Sequence, residues 1–111
     1  MPLGTDYTGQ DCSLAKALEV VGERWSLLLV RDAFLGVTRF SDFGRRLDIS
    51  KAVLTQRLGS LVDAGVFERQ QREGHDAYAL TPAGEALWPA VQALMRWGDE
   101  QTSPRGPRRP G

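Results

Sequence analysis

The sequence predicts one mainly α domain with a small β-hairpin. Apolar residues recur at helical spacing through most of the chain. Between Val66 and Leu80 the pattern changes to two short strands around Glu73-Gly74-His75-Asp76. A chain of 111 residues, 41% hydrophobic and 25% charged, has the size and composition of one globular domain. A domain of this length buries roughly two thirds of its surface on folding, so it needs neither disulfides nor metal to fold. The single cysteine, Cys12, excludes internal disulfides and cysteine zinc clusters. No apolar run of about 18 residues is present, so no membrane association is expected. The start, MPLGTDYTGQDC, lacks the basic and apolar regions of a secretory signal, and a cytoplasmic location is expected.

Residues 1–10, with Pro2, Gly4 and Gly9, read as a flexible arm. The domain itself runs over residues 11–101. Asp11 is the expected N-cap of a first helix, 12–22, with Leu14, Ala17, Leu18 and Val21 on one face. Gly22 ends it. A second helix, 24–35, is apolar nearly all round, which predicts a central buried helix stopped by Gly36. A short third helix at about 40–47 carries Phe40, Phe43 and Leu47 at i, i+3, i+7. After Asp48-Ile49, Ser50 caps a fourth helix to Asp63 or Ala64. Leu54, Leu58 and Leu61 face inward there, and Gly65 suits the C′ position.

The strands are read as Val66–Arg72 and Ala77–Leu80. Thr81 as N-cap and Pro82 at the first helical position start a last helix. Gly84 stands where a capping box would place an acid. Pro89 is expected to kink or split this helix. Residues 102–111, TSPRGPRRPG, hold no hydrophobic side chain and are expected to be a disordered basic tail. Two short helices joined by a few residues, then a hairpin, make a winged helix-turn-helix.

Charge is distributed to match. The formal net charge is zero, yet residues 39–72 carry seven basic against four acidic residues. Twelve of the fourteen cations are arginines, which fork onto phosphates and guanine edges as a lysine cannot. With three leucines inward, the fourth helix turns Ser50, Lys51, Ala52, Thr55, Gln56 and Gly59 outward. Lys51, Thr55 and Gln56 are expected to read bases. Arg39, Arg45, Arg46, Ser50 and Arg57 are expected to hold phosphates, although Arg57 could instead pair with an acid inside the fold. Arg69, Arg72 and His75 lie on or near the wing, with Arg72 and His75 reaching the minor groove. The simpler reading of these charges is a solvated amphipathic face. An alternative function is a winged-helix module that binds protein without specific DNA contacts. Cys12 and His75 have no third orienting group, so no enzyme, cofactor or metal site is implied.

The stretch from Cys12 to Trp97 resembles the HxlR family of bacterial winged-helix transcription regulators, relatives of the MarR type. The resemblance rests on ALEVVGERWSLLLVRD at 17–32, TRFSDF at 38–43, ISKAVLTQRLGSLVDAGVFER at 49–69, YALTPAGEAL at 78–87 and MRWG at 95–98, in one order. It implies a homodimer built through the first and last helices, binding a palindromic double-stranded DNA operator, most often as a repressor. It also implies a response to a signal, from an oxidant or from a small aromatic or electrophilic effector. Cys12 matches a cysteine that senses oxidants or electrophiles in some relatives. A helix start favours a thiolate, while Asp11 opposes it. The plainer alternative is a small side chain packed in the dimer seam. Trp25, Trp88 and Trp97 fall on inward or interface faces. The chain departs from the family pattern at Gly59, where relatives carry a basic residue, at Gly44, and at His75, where relatives often place arginine.

Overall fold

The computed structural model describes residues 12–102. The expected arm, the Asp11 cap and residues 103–111 of the tail lie outside them. Six helices and one hairpin follow in order: α1 Ser13–Val21, α2 Ser26–Phe34, α3 Phe40–Leu47, α4 Lys51–Asp63, β1 Phe67–Arg72, β2 His75–Leu80, α5 Pro82–Glu85 and α6 Trp88–Gln101. Leu29 and Val30 of α2, Phe43 of α3, Leu54, Leu58 and Leu61 of α4, and Phe67 of β1 form the buried centre. Phe43 and Phe67 meet edge to face, 6.1 Å between centroids.

Helix α1 departs from its expected face. Ala15 and Val21 are buried, while Leu14 and Ala17 are exposed. Periodicity reports an apolar stripe but not what covers it. Its N-cap is Cys12, whose side chain makes no capping bond. Helix α2 starts two residues later than expected. Glu23 Oε1 accepts from the Trp25 N–H at 2.8 Å and from the Ser26 hydroxyl at 3.4 Å, so the acid tethers the helix start. The helix is not apolar throughout its buried surface, because Ser26 and Asp32 are buried with Leu29 and Val30. Gly36 then turns the chain at φ +101°, a left-handed value that glycine takes without strain.

The α3–turn–α4 unit forms as expected. Asp48 takes the left-handed conformation that ends α3. Ser50 Oγ accepts from the Val53 N–H at 3.2 Å, capping α4. At its far end the Val66 N–H reaches the Leu61 carbonyl at 2.9 Å, a Schellman closure around Gly65.

The hairpin is tighter than expected. Arg72 pairs with His75 and Gln71 with Asp76, leaving a two-residue loop, Glu73-Gly74. Both loop residues have positive φ, so the turn twists with its strands, and His75 and Asp76 belong to β2. Arg39 bridges to Ala77, and the Tyr78 N–H donates to the Thr38 carbonyl at 2.8 Å. These bonds tie the hairpin to the entrance of α3. The fold is a winged helix-turn-helix.

Pro89 splits the last helix, lying in the first turn of α6 where its missing N–H breaks no helical bond. Trp88 stacks on Phe34 at 4.5 Å, holding α6 against α2. Thr81 Oγ1 accepts from the Gly84 N–H at 3.1 Å, the expected cap. A Cβ at Gly84 would lie 2.2 Å from the Val66 carbonyl oxygen, so the acid of a full capping box cannot fit there. Gly84→Ala is therefore expected to cost about 1–3 kcal/mol as overpacking against backbone. Urea denaturation measures it, and an unmoved midpoint would mean that the Val66 backbone yields freely.

Candidate nucleic-acid interface

The inward leucines of α4 leave Lys51, Ala52, Thr55, Gln56 and Gly59 exposed on its other side. The Thr55 hydroxyl donates to the Lys51 carbonyl at 2.8 Å. Its proton is thus used within the helix, and it faces outward as an acceptor with a methyl group. Beside this face runs a groove of about 590 Å³ between α4 and the hairpin. Lys51, Thr55 and Gly59 line one side of it, and Arg39, Arg69 and His75 the other. Burial pushes the Tyr78 phenol up from its ordinary value, so it lines the groove as a neutral hydroxyl. A smaller recess joins Arg39 to Arg72 and His75 at the hairpin tip. The groove thus gathers residues that are far apart in sequence: the entrance of α3, the start of α4 and the wing.

The arginines divide into two sets. Arg39 is exposed, as is Lys51, and neither has an ion-pair partner among the described residues. Arg72 is exposed, with Nε donating to Gln70 Oε1 at 3.0 Å. The others are engaged within the protein. Arg45 pairs with Asp42 one turn back on α3. Arg57 lies 3.9 Å from Glu23, the acid that tethers α2, so it takes the fold-anchoring position. Arg46 reaches back to Asp32, with Nε 3.2 Å from Oδ2. Arg31 contacts the other oxygen of Asp32 at 2.9 Å. Asp32 is fully buried, and Oδ2 has the charge contact but no aligned hydrogen bond. The α2–α3 joint is therefore a buried carboxylate held between two arginines.

Sequence reasoning missed Glu23, Asp32 and Asp42 as the partners of candidate arginines. One signal existed: an aspartate inside the apolar run of α2 must be paired if buried.

Two faces remain uncovered. Leu14 and Val20 on α1, and Leu94, Met95 and Trp97 on α6, are exposed apolar side chains. Trp25 and Trp88 pack against the core, whereas Trp97 is 60% exposed. Cys12 is an exposed free thiol at the start of α1.

Comparison with known proteins agrees with this geometry. The family model described as HxlR-like helix-turn-helix matches residues 20–105. An uncharacterised HTH-type transcriptional regulator of Mycobacterium bovis, Mb3122, is 47% identical over 100 residues, covering 86% of this chain and 63% of that protein. The chain thus spans less than two thirds of that relative's length. The crystal structure of PA1607 superposes with a TM-score of 0.81 at 41% identity, covering 85% of this chain and 68% of that one. The redox regulator HypR in its reduced form superposes with a TM-score of 0.74 at 29% identity, covering 81% and 93%.

Proposed function

The chain belongs to the HxlR-like helix-turn-helix family, and from that membership we propose that it is a dimeric, sequence-specific DNA-binding transcriptional regulator acting as a repressor in the cytoplasm. The observation that carries this is the exposed face of α4 opening onto the same groove as the wing. Lys51, Thr55 and Gln56 read base edges in the major groove. Ser50 and the free N–H groups of the α4 start take a phosphate oxygen. Arg39 holds the backbone beside them, and Arg72 and His75 reach the minor groove. Arg45 and Arg46 contribute only through what their acidic partners leave free.

The apolar faces of α1 and α6 pair with those of a second copy. Pairing there sets the two α4 helices roughly 34 Å apart, one turn of DNA, which matches a palindromic operator. The signal enters at this seam. Cys12 lies at its edge, and likeness to the redox regulator HypR supports an oxidant as the trigger. Two Cys12 thiols would lose two protons and two electrons to the oxidant and join across the dimer, shifting the reading heads.

The test is binding to DNA from upstream of the protein's own gene against scrambled DNA, at two salt concentrations, with and without diamide as thiol oxidant. Specific binding that weakens with salt is expected. Oxidant is expected to abolish it, with Cys12→Ser resistant. Indifference to oxidant would make Cys12 a packing residue. No binding at low salt would overturn the DNA-binding reading in favour of a protein-interaction module.

A further inference from the structure

A wing that meets phosphates should be cationic, yet Asp76 sits in it. Asp76 Oδ2 accepts from Arg69 Nη2 at 2.9 Å. Its Oδ1 accepts from the Gln71 amide. In the hairpin Asp76 stands opposite Gln71, and Arg69 opposite Tyr78, so the carboxylate reaches Arg69 along the diagonal. The aspartate side chain is only 31% exposed and is thus settled on the strand rather than free in water. Both residues line the groove beside α4, together with Arg39, Lys51 and His75. We propose that Asp76 is a positioning residue that holds Arg69 out of phosphate contact, so that the wing meets DNA with one cation fewer than its sequence carries. This rests on the DNA-binding reading above and deepens it.

The argument is one of counterions. A cation that neutralises a phosphate releases one condensed counterion, and each release steepens the fall of affinity with salt. An arginine already neutralised by a carboxylate releases none. To capture Arg69, a phosphate must displace Asp76 and leave that charge facing the DNA backbone. The hydrogen bond to Asp76 also raises the Arg69 guanidinium above its ordinary value. The result is a lower sequence-independent contribution to binding. Discrimination then leans on the base-reading face of α4.

The experiment is a double-mutant cycle read by salt dependence. Wild type, Asp76→Asn, Arg69→Ala and the double variant are titrated onto a random-sequence duplex between about 50 and 200 mM salt. Asp76→Asn is expected to tighten binding on the order of 3–10-fold at low salt and to steepen the slope by about 0.9. Arg69→Ala is expected to remove that gain when combined with Asp76→Asn. Asp76→Ser serves if the asparagine variant fails to fold, thermal melting being the check. Unchanged or weaker binding by both Asp76 variants would overturn the proposal. So would a double variant that keeps the gain of Asp76→Asn, because Arg69 would then not be the cation that Asp76 holds back. Wild type that binds, with Asp76 variants that match it, sinks this proposal alone. Wild type that binds no DNA sinks the DNA-binding reading and this proposal with it.

Discussion

Replacing Lys51 and Gln56 together by alanine is expected to abolish operator preference while leaving a folded dimer. Both side chains are exposed on α4, Lys51 at its N-terminal end and Gln56 just over one turn beyond. The fold depends on the opposite face, where Leu54, Leu58 and Leu61 are buried. Alanine is also a better helix former than either residue it replaces, so the melting temperature should hold or rise slightly. Each good side-chain contact to a base pair discriminates by about 1–3 kcal/mol. Losing two should therefore cut the ratio of specific to random binding by about 30-fold or more. Random-sequence binding should fall much less, because only Lys51 among the pair can neutralise a phosphate. Competition between the upstream fragment and scrambled DNA, at matched salt, reads this ratio. An unchanged ratio would refute α4 as the reading helix. A loss of both ratio and dimer would instead show that the pair supports the fold.

Removing Arg31 and Arg46 together is expected to be the most damaging change to stability. Each contacts the fully buried Asp32 carboxylate, from α2 itself and from α3. With one arginine gone the other still faces the charge, so each single variant should cost less than half of the double. With both gone, a buried charge is left with no counter-charge. That costs about 3–5 kcal/mol, and for a domain of this size it should lower the melting temperature by roughly 12 °C or more. Urea denaturation of the four-member cycle measures it. Adding Asp32→Asn to the double variant removes the charge while keeping the shape, and should recover much of the loss. A double variant within about 1 kcal/mol of wild type would mean that water reaches the carboxylate. The cycle also isolates the contribution of Arg46 to DNA binding. Arg46→Ala alone keeps Asp32 paired with Arg31, so any change in its salt slope reports a phosphate contact rather than unfolding.

The parts of this molecule legible in the sequence share one property: their causes are local. The Ser50 cap and the Thr81-Pro82 start each depend on residues within one turn, and both formed as read. The leucine spacing of α4 and the Gly65 stop were legible for the same reason. The hairpin was only half legible. Gly74 marked a turn, but polar His75 and Asp76 looked like loop, and the pairing to Arg72 and Gln71 decided otherwise. Helix α1 carried an apolar stripe whose partner no pattern could identify, and Leu14 and Ala17 are uncovered within one chain.

The candidate site shows the same division. Composition and spacing picked out Lys51, Thr55 and Gln56, because which face a helical residue occupies follows from 3.6 residues per turn. Which arginines stay free for a phosphate did not follow. Arg46 is committed to an acid 14 positions upstream. Arg57 reaches Glu23 on a different element, and Arg69 reaches Asp76 across a turn. Gly84 looked like a weak cap until the Val66 carbonyl was seen where its side chain would stand. The sequence by itself determined the order of elements, the Ser50 and Thr81 caps and the outward face of α4, since hydrogen bonding and periodicity act over a few residues. Only the tertiary structure decided the charge pairing and the close approaches. Coulomb attraction and steric exclusion depend on distances that long-range folding sets, and no neighbour in the chain records them.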